Sequence, residues 1–347
     1  MITMKDVAKL AGVSPITVSR VISSPEQVKP ATRAKVTRAI EELNFKPNSI
    51  ARSLVTNRTD TIGLLLSNVA NPYYPEFILG LETMARSLGK NVIICNAQDY
   101  DTATQNLELL LEKRVDGIVV TSIEFDSLKL QEKFHAHLEE LSQLKQKSIP
   151  IVLMDPNPRS TILSCIEVDN YLAGRIAMSH LCELGHRRIA HISLERDANV
   201  WIERLRAYKD AHHKYDLPFD SARIELIRFE SVKLAEEAAS RLLRMEPRPT
   251  AIFAGNDLLA VGAIHAAHRL GVKIPEELSV IGVDGISIGD QIYPRLTTVS
   301  HPQYKVGEAA VQLLVKKING DEDNSNITLK PALLIRESTA LHRSNNG

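Results

Sequence analysis

A chain of 347 residues, 44% hydrophobic and 24% charged, has the composition of one to three soluble globular domains. Its three cysteines, Cys95, Cys165 and Cys182, are widely spaced among apolar neighbours, which excludes a disulfide framework or a cysteine metal site. The apolar runs, such as Ile62–Leu66, are too short to span a bilayer, and the opening MITMKDVAKL has no apolar signal core, so the expected compartment is the cytoplasm.

Charge is uneven although it sums to zero. The first 60 residues carry ten Lys or Arg against five Asp or Glu, a net +5, and the remainder balances it at −5. A basic head on an acidic body points to a polyanionic partner for the head. Lys5–Ala11 reads as a first helix, with Val7, Ala8, Leu10 and Ala11 on its apolar side. Gly12 suits a left-handed turn. Ser14 can cap a second helix and Pro15 fits its first position. Val18, Val21 and Ile22 then face inward at i, i+3 and i+4. A third helix, from Thr32 to about Asn44, adds Val36, Ile40 and Leu43 to the shared core. The spacing of Ala8, Gly12 and Val18 is that of a helix-turn-helix: a small contact, a permissive turn and a branched wedge. Such a motif presents the start of its second helix to the major groove. There Thr17 and Ser19 suit phosphate oxygens, Arg20 suits guanine and Ile16 a thymine methyl.

Residues 48–56, NSIARSLVT, are helix-capable but too short to be stable alone. They read either as a plain linker or as a segment that folds on DNA, with Leu54 as a minor-groove wedge beside Ala51.

From Thr61 onward, apolar β-branched runs alternate with helical periods. The runs are 61–67, 91–97, 116–122, 149–155, 164–169, 188–193, 223–229, 250–255 and 278–284. The helical stretches include Tyr73–Leu88, Asn170–Leu184, Glu203–Tyr215 and Asp257–Leu270. This alternation predicts parallel sheets covered by helices on both faces, with ligands bound beyond the carboxyl ends of the strands. A coarse repeat, four βα units before residues 157–161 and a comparable set after, predicts two halves about a cleft. Residues 125–148 predict an amphipathic helix with Leu128, Leu138, Leu141 and Leu144. Phe77, Leu81, Met84 and Leu88 recur at helical spacing and predict a dimer seam.

The stretches MKDVAKLAGVSPITVSRVIS and ATRAKVTRAIEELNFKPNSIARSL closely resemble the lac repressor (LacI/GalR) family of bacterial transcription regulators. The resemblance runs to about Thr339. It implies a small all-α helix-turn-helix head (1–46) and a hinge helix with linker (47–60). It further implies an α/β core of two Rossmann-like subdomains of the periplasmic-binding-protein type I kind (61–347). Three chain crossings between the subdomains are implied near Asn157, Ile286–Ile288 and Asn319–Thr328. Positions 15, 16 and 20 would choose the operator, and Ala51 and Leu54 would pry open its central step. Pro15 and Ile16 stand where many members carry polar residues, which leaves hydrogen-bonded readout mainly to Arg20. Glu26 stands where some members carry a basic residue.

Several residues at the strand ends are candidates for an effector. Tyr73 and Tyr74 offer aromatic faces. Asp155, Asn256 and Asp284 offer fixed donors and acceptors for a hydroxyl-rich ligand. Arg204 matches the family's ligand-clamping arginine, and Phe229 falls where the family places an aromatic. Trp201 lies three residues before Arg204. Asp257 and Asp169 read as helix caps or orienting groups. No G-x-G-x-x-G, P-loop or nucleophile-elbow pattern follows any strand, and His212–His213 lack metal-ligand company. The expectation is a repressor without cofactor or metal, acting as a homodimer on a palindrome under a sugar-like effector. A nucleobase or nucleoside co-repressor is the alternative, and an enzyme on the same core a weaker one.

Overall fold

The computed structural model describes residues 2–23, 25–45, 58–123, 125, 127–144, 148–155, 160, 162–321 and 325–342. They fall into two compact units, residues 1–61 with 113–116, and 62–112 with 117–347.

In the first unit, α1 (Met4–Ala11), α2 (Pro15–Ser23) and α3 (Pro30–Glu42) share a small core. Val7, Ala8, Val18, Val21, Val36 and Ala39 are buried together, with Ile22, Ile40 and Leu43 packed against them. The predicted inward set is therefore the observed one, except that Leu10 is exposed. α3 starts two residues earlier than Thr32, because Pro30 presets a helical φ and takes its first turn.

The second unit holds two six-stranded sheets. The first contains β1 (Thr61–Leu66), β2 (Asn91–Asn96), β3 (Gly117–Val120), β4 (Ile151–Met154), β5 (Ser164–Val168) and β11 (Asn326–Leu329), in the order β2-β1-β3-β4-β5-β11. The second contains β6 (Ile189–Leu194), β7 (Ile224–Ile227), β8 (Ala251–Ala254), β9 (Ser279–Asp284), β10 (Thr297–Ser300) and β12 (Ala332–Leu334), in the order β7-β6-β8-β9-β10-β12. Strand for strand the two orders are the same. β1 pairs parallel to β3 with Ile62 opposite Gly117, β6 parallel to β8 with Ile189 opposite Ala251, and only at its edge does β12 run antiparallel to β10. Both are doubly wound sheets with a switch point beside their first strand.

The helices of this unit are α4 (Tyr74–Ser87), α5 (Tyr100–Glu112), α6 (Leu128–Gln143), α7 (Asn170–Glu183), α8 (Asn199–Lys214), α9 (Val232–Leu243), α10 (Asp257–Arg269), α11 (Ile288–Gln291) and α12 (Gln303–Ile318). α6 buries Phe134, Leu138 and Leu141, leaves Leu144 exposed, and so fills an ordinary packing role. No helix among the described residues is long and apolar enough to cross a membrane.

The chain passes between the sheets after β5 (168–170), after β10 (300–303) and after β11 (329–332). This corrects the expected crossings near Asn157, Ile286–Ile288 and Asn319–Thr328. Asn157 itself lies outside the described residues. β5 stays beside β4, with Val152 opposite Ser164, and β10 stays beside β9, so each of the first two crossings comes one strand later.

α12 also overturns the predicted dimer seam. It returns to the first sheet and packs along α4, where Gly80 and Gly307 let the backbones touch. Phe77 and Leu81 are 0% exposed in this core with Val306, Ala310 and Leu314. The apolar stripe of α4 is thus consumed inside the subunit, and only Leu88 of the four remains exposed.

Candidate functional site

The head is organised by its caps. Thr3 and Asp6 close a capping box on α1, with the Thr3 N–H and hydroxyl donating to Asp6 Oδ2 at 2.8 and 2.7 Å. Gly12 ends α1 at φ 65°, the left-handed conformation that favours glycine. Ser14 Oγ accepts the Thr17 N–H at 3.1 Å and pairs with the Thr17 hydroxyl at 2.9 Å. Thr17 is consequently half-buried and turned back on the cap, and Ser19 is half-buried as well. Pro15, Ile16 and Arg20 are exposed, Ile16 at 67%. Ala51 and Leu54 lie outside the described residues.

The second site is a cavity of about 350 Å³ between the facing strand ends of the two sheets. From the first sheet come Ser67 and Asn68 after β1, Gln98 after β2, Ser122 after β3 and Asp155 after β4. From the second come Leu194 ending β6, Glu230 after β7, Asn256 after β8, Asp284 ending β9 and His301 after β10. Asp155 and Asp284 stand at equivalent strand ends, both with positive φ, 45° and 112°. Such backbone strain in non-glycine residues gathers at ligand clamps.

Arg204 ties the floor together. α8 begins four residues earlier than predicted, which brings Trp201 and Arg204 into its first turns beside the cavity. Arg204 is 4% exposed. Its Nε and Nη2 donate to Asn170 Oδ1 (3.0 and 2.8 Å), its Nη1 to the Gly255 carbonyl (2.7 Å), and its Nη2 also to Asp284 Oδ1 (3.1 Å). The guanidinium stands 5.4 Å from the Trp201 ring, a cation–π contact. Asn256 caps α10 through the Leu259 N–H at 3.0 Å, and its amide donates to Glu230. Glu230 also accepts from Asn71 of the first sheet's half at 3.0 Å, which links the two sides of the cleft. Asp257 is structural, as expected. It accepts from the Thr298 hydroxyl and the Ile286 N–H (2.8 Å) at 0% exposure. Asp169 caps α7 through the Leu172 N–H at 2.8 Å.

Tyr73, Tyr74, Asp155, Arg204, Asn256 and Asp284 therefore line one cavity. Phe229 does not. It is 57% exposed, with Arg228 over its ring at 5.9 Å. The chain bends after β7, and Glu230 enters the cavity while Phe229 leaves it. Phe229→Ala is expected to leave effector affinity unchanged within about twofold by calorimetric titration, an energy well under 1 kcal/mol. A tenfold loss would restore the aromatic assignment. Glu230 and His301 were missed, although each follows a strand as the chosen residues do.

Burial pushes the Asp155 carboxyl up to about 7, with the Val168 N–H and Arg204 pulling the other way. It pushes Asp257 up to about 7 against the Thr298 hydroxyl and the Ile286 N–H, and raises Asp284 despite the charge of Arg204. An unfolded carboxyl loses its proton near pH 3.9. Between about pH 4 and 7 these carboxyls contribute stability that is lost as pH rises, while the buried histidines His186, His191 and His301, held low by burial, act in the opposite sense. Asp155→Asn keeps an acceptor for Val168 and removes one carboxyl from this balance, so its stability relative to wild type is expected to rise with pH across that range in urea denaturation. A stability difference that does not change with pH there would contradict it.

A small helix-turn-helix unit followed by two doubly wound halves around a polar cleft defines a class: a DNA-reading head carried by a ligand-binding core. Comparison with known proteins agrees. Residues 3–48 match the bacterial regulatory proteins of the lacI family, and residues 178–339 match the periplasmic binding protein-like domain. The HTH-type transcriptional repressor PurR of Vibrio atlanticus (strain LGP32) is 36% identical over 340 residues, 98% of each chain. The ribose operon repressor of Escherichia coli (strain K12) is 35% identical over 340 residues, 97% of this chain and 100% of its own. Among solved structures, the lac repressor dimer bound to operator and the anti-inducer ONPF superposes with a TM-score of 0.83 at 25% identity, covering 98% of this chain and 99% of that one. A complex of the transcriptional regulator CelR with cellobiose gives 0.71 at 30% identity, covering 97% and 100%. The chain belongs to the lacI family of bacterial regulatory proteins.

Proposed function

We propose that this protein is a cytoplasmic transcriptional repressor that binds a palindromic operator as a homodimer, and that a carbohydrate in the cleft controls the binding. The observation that carries the effector reading is the ring of fixed polar groups from both sheets, Asp155, Arg204, Asn256 and Asp284 above all. Carboxylates and amides held by neighbours match sugar hydroxyls, each of which donates and accepts. Pro15, Ile16 and Arg20 are the outward face of α2, with Ile16 meeting a thymine methyl and Arg20 forking onto guanine. Thr17 and Ser19 support that face beside the phosphates. Residues 47–60 serve as the hinge, with Ala51 and Leu54 at the central step. A ligand that touches both halves favours the closed cleft and thereby shifts the equilibrium between DNA-binding states. The cleft holds its groups for binding, and we assign it no catalytic step.

The test begins with selection of DNA from a random duplex pool by the purified protein. Enrichment of a palindrome supports the reading, and enrichment of none sinks it. Operator affinity is then titrated with D-ribose, D-glucose, cellobiose, hypoxanthine and guanine. The 36% identity to the repressor PurR supports a nucleobase co-repressor as the second reading, with Trp201 and Tyr73 as ring partners. A response to the bases alone would decide for it.

A further inference from the structure

Just ahead of the core, the chain is clasped to itself. Thr59 precedes β1 and donates to Asp116 Oδ1 twice, through its N–H at 2.8 Å and its hydroxyl at 3.1 Å. The hydroxyl also donates to the Arg114 carbonyl at 2.9 Å. In return the Asp116 N–H donates to the Thr61 carbonyl at 2.7 Å. Left-handed backbone stands on both sides of the clasp, at Asp60 (φ 52°) and Arg114 (φ 55°). Arg114 occupies the place after α5 that glycine commonly takes, and such strain persists only where the surroundings fix it. Residues 113–116 lead directly into β3, yet they belong to the same compact unit as residues 1–61.

Beyond the clasp, β1 and β3 run side by side, from Ile62 opposite Gly117 to Leu65 opposite Val120. β1 is buried from Ile62 onward and β3 throughout. Their far ends are bonded as well. The Thr121 N–H donates to the Leu65 carbonyl at 2.9 Å, and the Thr121 hydroxyl accepts the Ser67 N–H at 3.3 Å. Ser67, Asn68 and Ser122, at those ends, line the cavity. Thr59 and Asp116 do not line it.

We propose that Thr59 and Asp116 are positioning residues that tie the end of the hinge segment to the occupancy of the cavity. This rests on the repressor reading above. A ligand that moves Ser67, Asn68 or Ser122 acts on the ends of two buried, mutually bonded strands, and a close-packed interior passes strain on instead of absorbing it. The clasp makes both strands deliver that shift to one residue, Thr59, in the segment 47–60. Without Asp116 the segment is held by β1 alone.

The test uses the full-length protein, the palindrome it selects, and whichever of D-ribose, D-glucose, cellobiose, hypoxanthine and guanine shifts its operator affinity. Operator affinity is measured with and without that ligand, and ligand affinity by calorimetry on the DNA-free protein. Asp116→Ala is expected to cut the ligand's effect on operator affinity by about 5- to 20-fold, while the DNA-free protein binds the ligand within about twofold of wild type. Asp116→Asn keeps an oxygen acceptor and is expected to recover most of the response. Thr59→Val loses the hydroxyl but not the N–H, and is expected to fall between them. The double variant Thr59→Val/Asp116→Ala is expected to respond as Asp116→Ala does, because the two residues act as a unit. Should Asp116→Ala bind no operator, the comparison of Thr59→Val with wild type decides. A wild-type response in the deciding variant overturns the proposal. So does a ligand affinity that falls in step with the response, which would make the clasp a prop of the cavity. If the wild type selects no palindrome, or none of the ligands shifts its affinity, the repressor reading falls and takes the clasp with it.

Discussion

Arg204→Met is expected to abolish the effector response and, above about pH 8 where the Asp284 carboxyl is ionised, to destabilise the ligand-free protein by about 3–5 kcal/mol, the cost of breaking a buried ion pair from one side. The methionine replaces much of the volume, so lost packing is a minor part of the effect. What changes is the partner list. Asp284 loses its guanidinium neighbour, and the Asn170 side chain and the Gly255 carbonyl lose their donors. The buried carboxyl of Asp284 then has desolvation without compensation. Asp284→Asn removes that charge, and asparagine tolerates a positive φ better than most residues. The double variant Arg204→Met/Asp284→Asn is therefore expected to be more stable than Arg204→Met alone while remaining blind to effector. Urea denaturation and calorimetric titration check both parts. A single variant within about 1 kcal/mol of wild type, the range of an exposed pair, would show that the pair is not buried in solution.

The second large effect is expected at Gly80→Val, about 3 kcal/mol by overpacking at the contact of α4 with α12. A Cβ at Gly80 would press into the Tyr304 carbonyl, and one at Gly307 into the Phe77 carbonyl. Both neighbours are backbone, so no side chain can swing aside and the helices must part. Gly89→Ala is the control: it has φ 68° but open space around it, so only the left-handed penalty of about 1–2 kcal/mol applies. If Gly80→Val unfolds in urea no earlier than Gly89→Ala, the close crossing is wrong. Separation of this pair also reaches the cleft, since α4 follows Tyr73 and α12 follows His301.

Much of this architecture was legible because its signals are local. Asp155, Asn256 and Asp284 each follow an apolar run, and the rule that ligands gather beyond strand ends selects them without further knowledge. The three head helices were legible for the same reason, in caps and in i, i+3, i+4 spacing. Phe229 misled because it was carried over from the family's aromatic position, while in this chain the residue after it, Glu230, is the one that reaches the cavity. His301 was hidden because β10 is short and begins with two threonines, both 0% exposed, so it does not read as an apolar strand. With β10 unread, α12 was unread too, and the stripe on α4 was left to be mistaken for a subunit contact. The crossings were misplaced because loop position in sequence does not say which sheet the next strand joins.

The three passages between the halves bear on how the molecule is made. Neither half is a continuous piece of chain. β11 and β12, which complete the outer edges beside β5 and β10, lie within residues 326–334. During synthesis, amino-terminal segments leave the ribosome first, yet both sheets keep an open edge until almost the whole chain has been made. Unpaired edges invite pairing with other chains. A product truncated before residue 326 is thus expected to be an aggregating or degraded species rather than a shortened regulator that still occupies DNA. Its head would be complete while its body could not be finished, so premature termination would remove the protein instead of leaving a DNA binder deaf to its ligand.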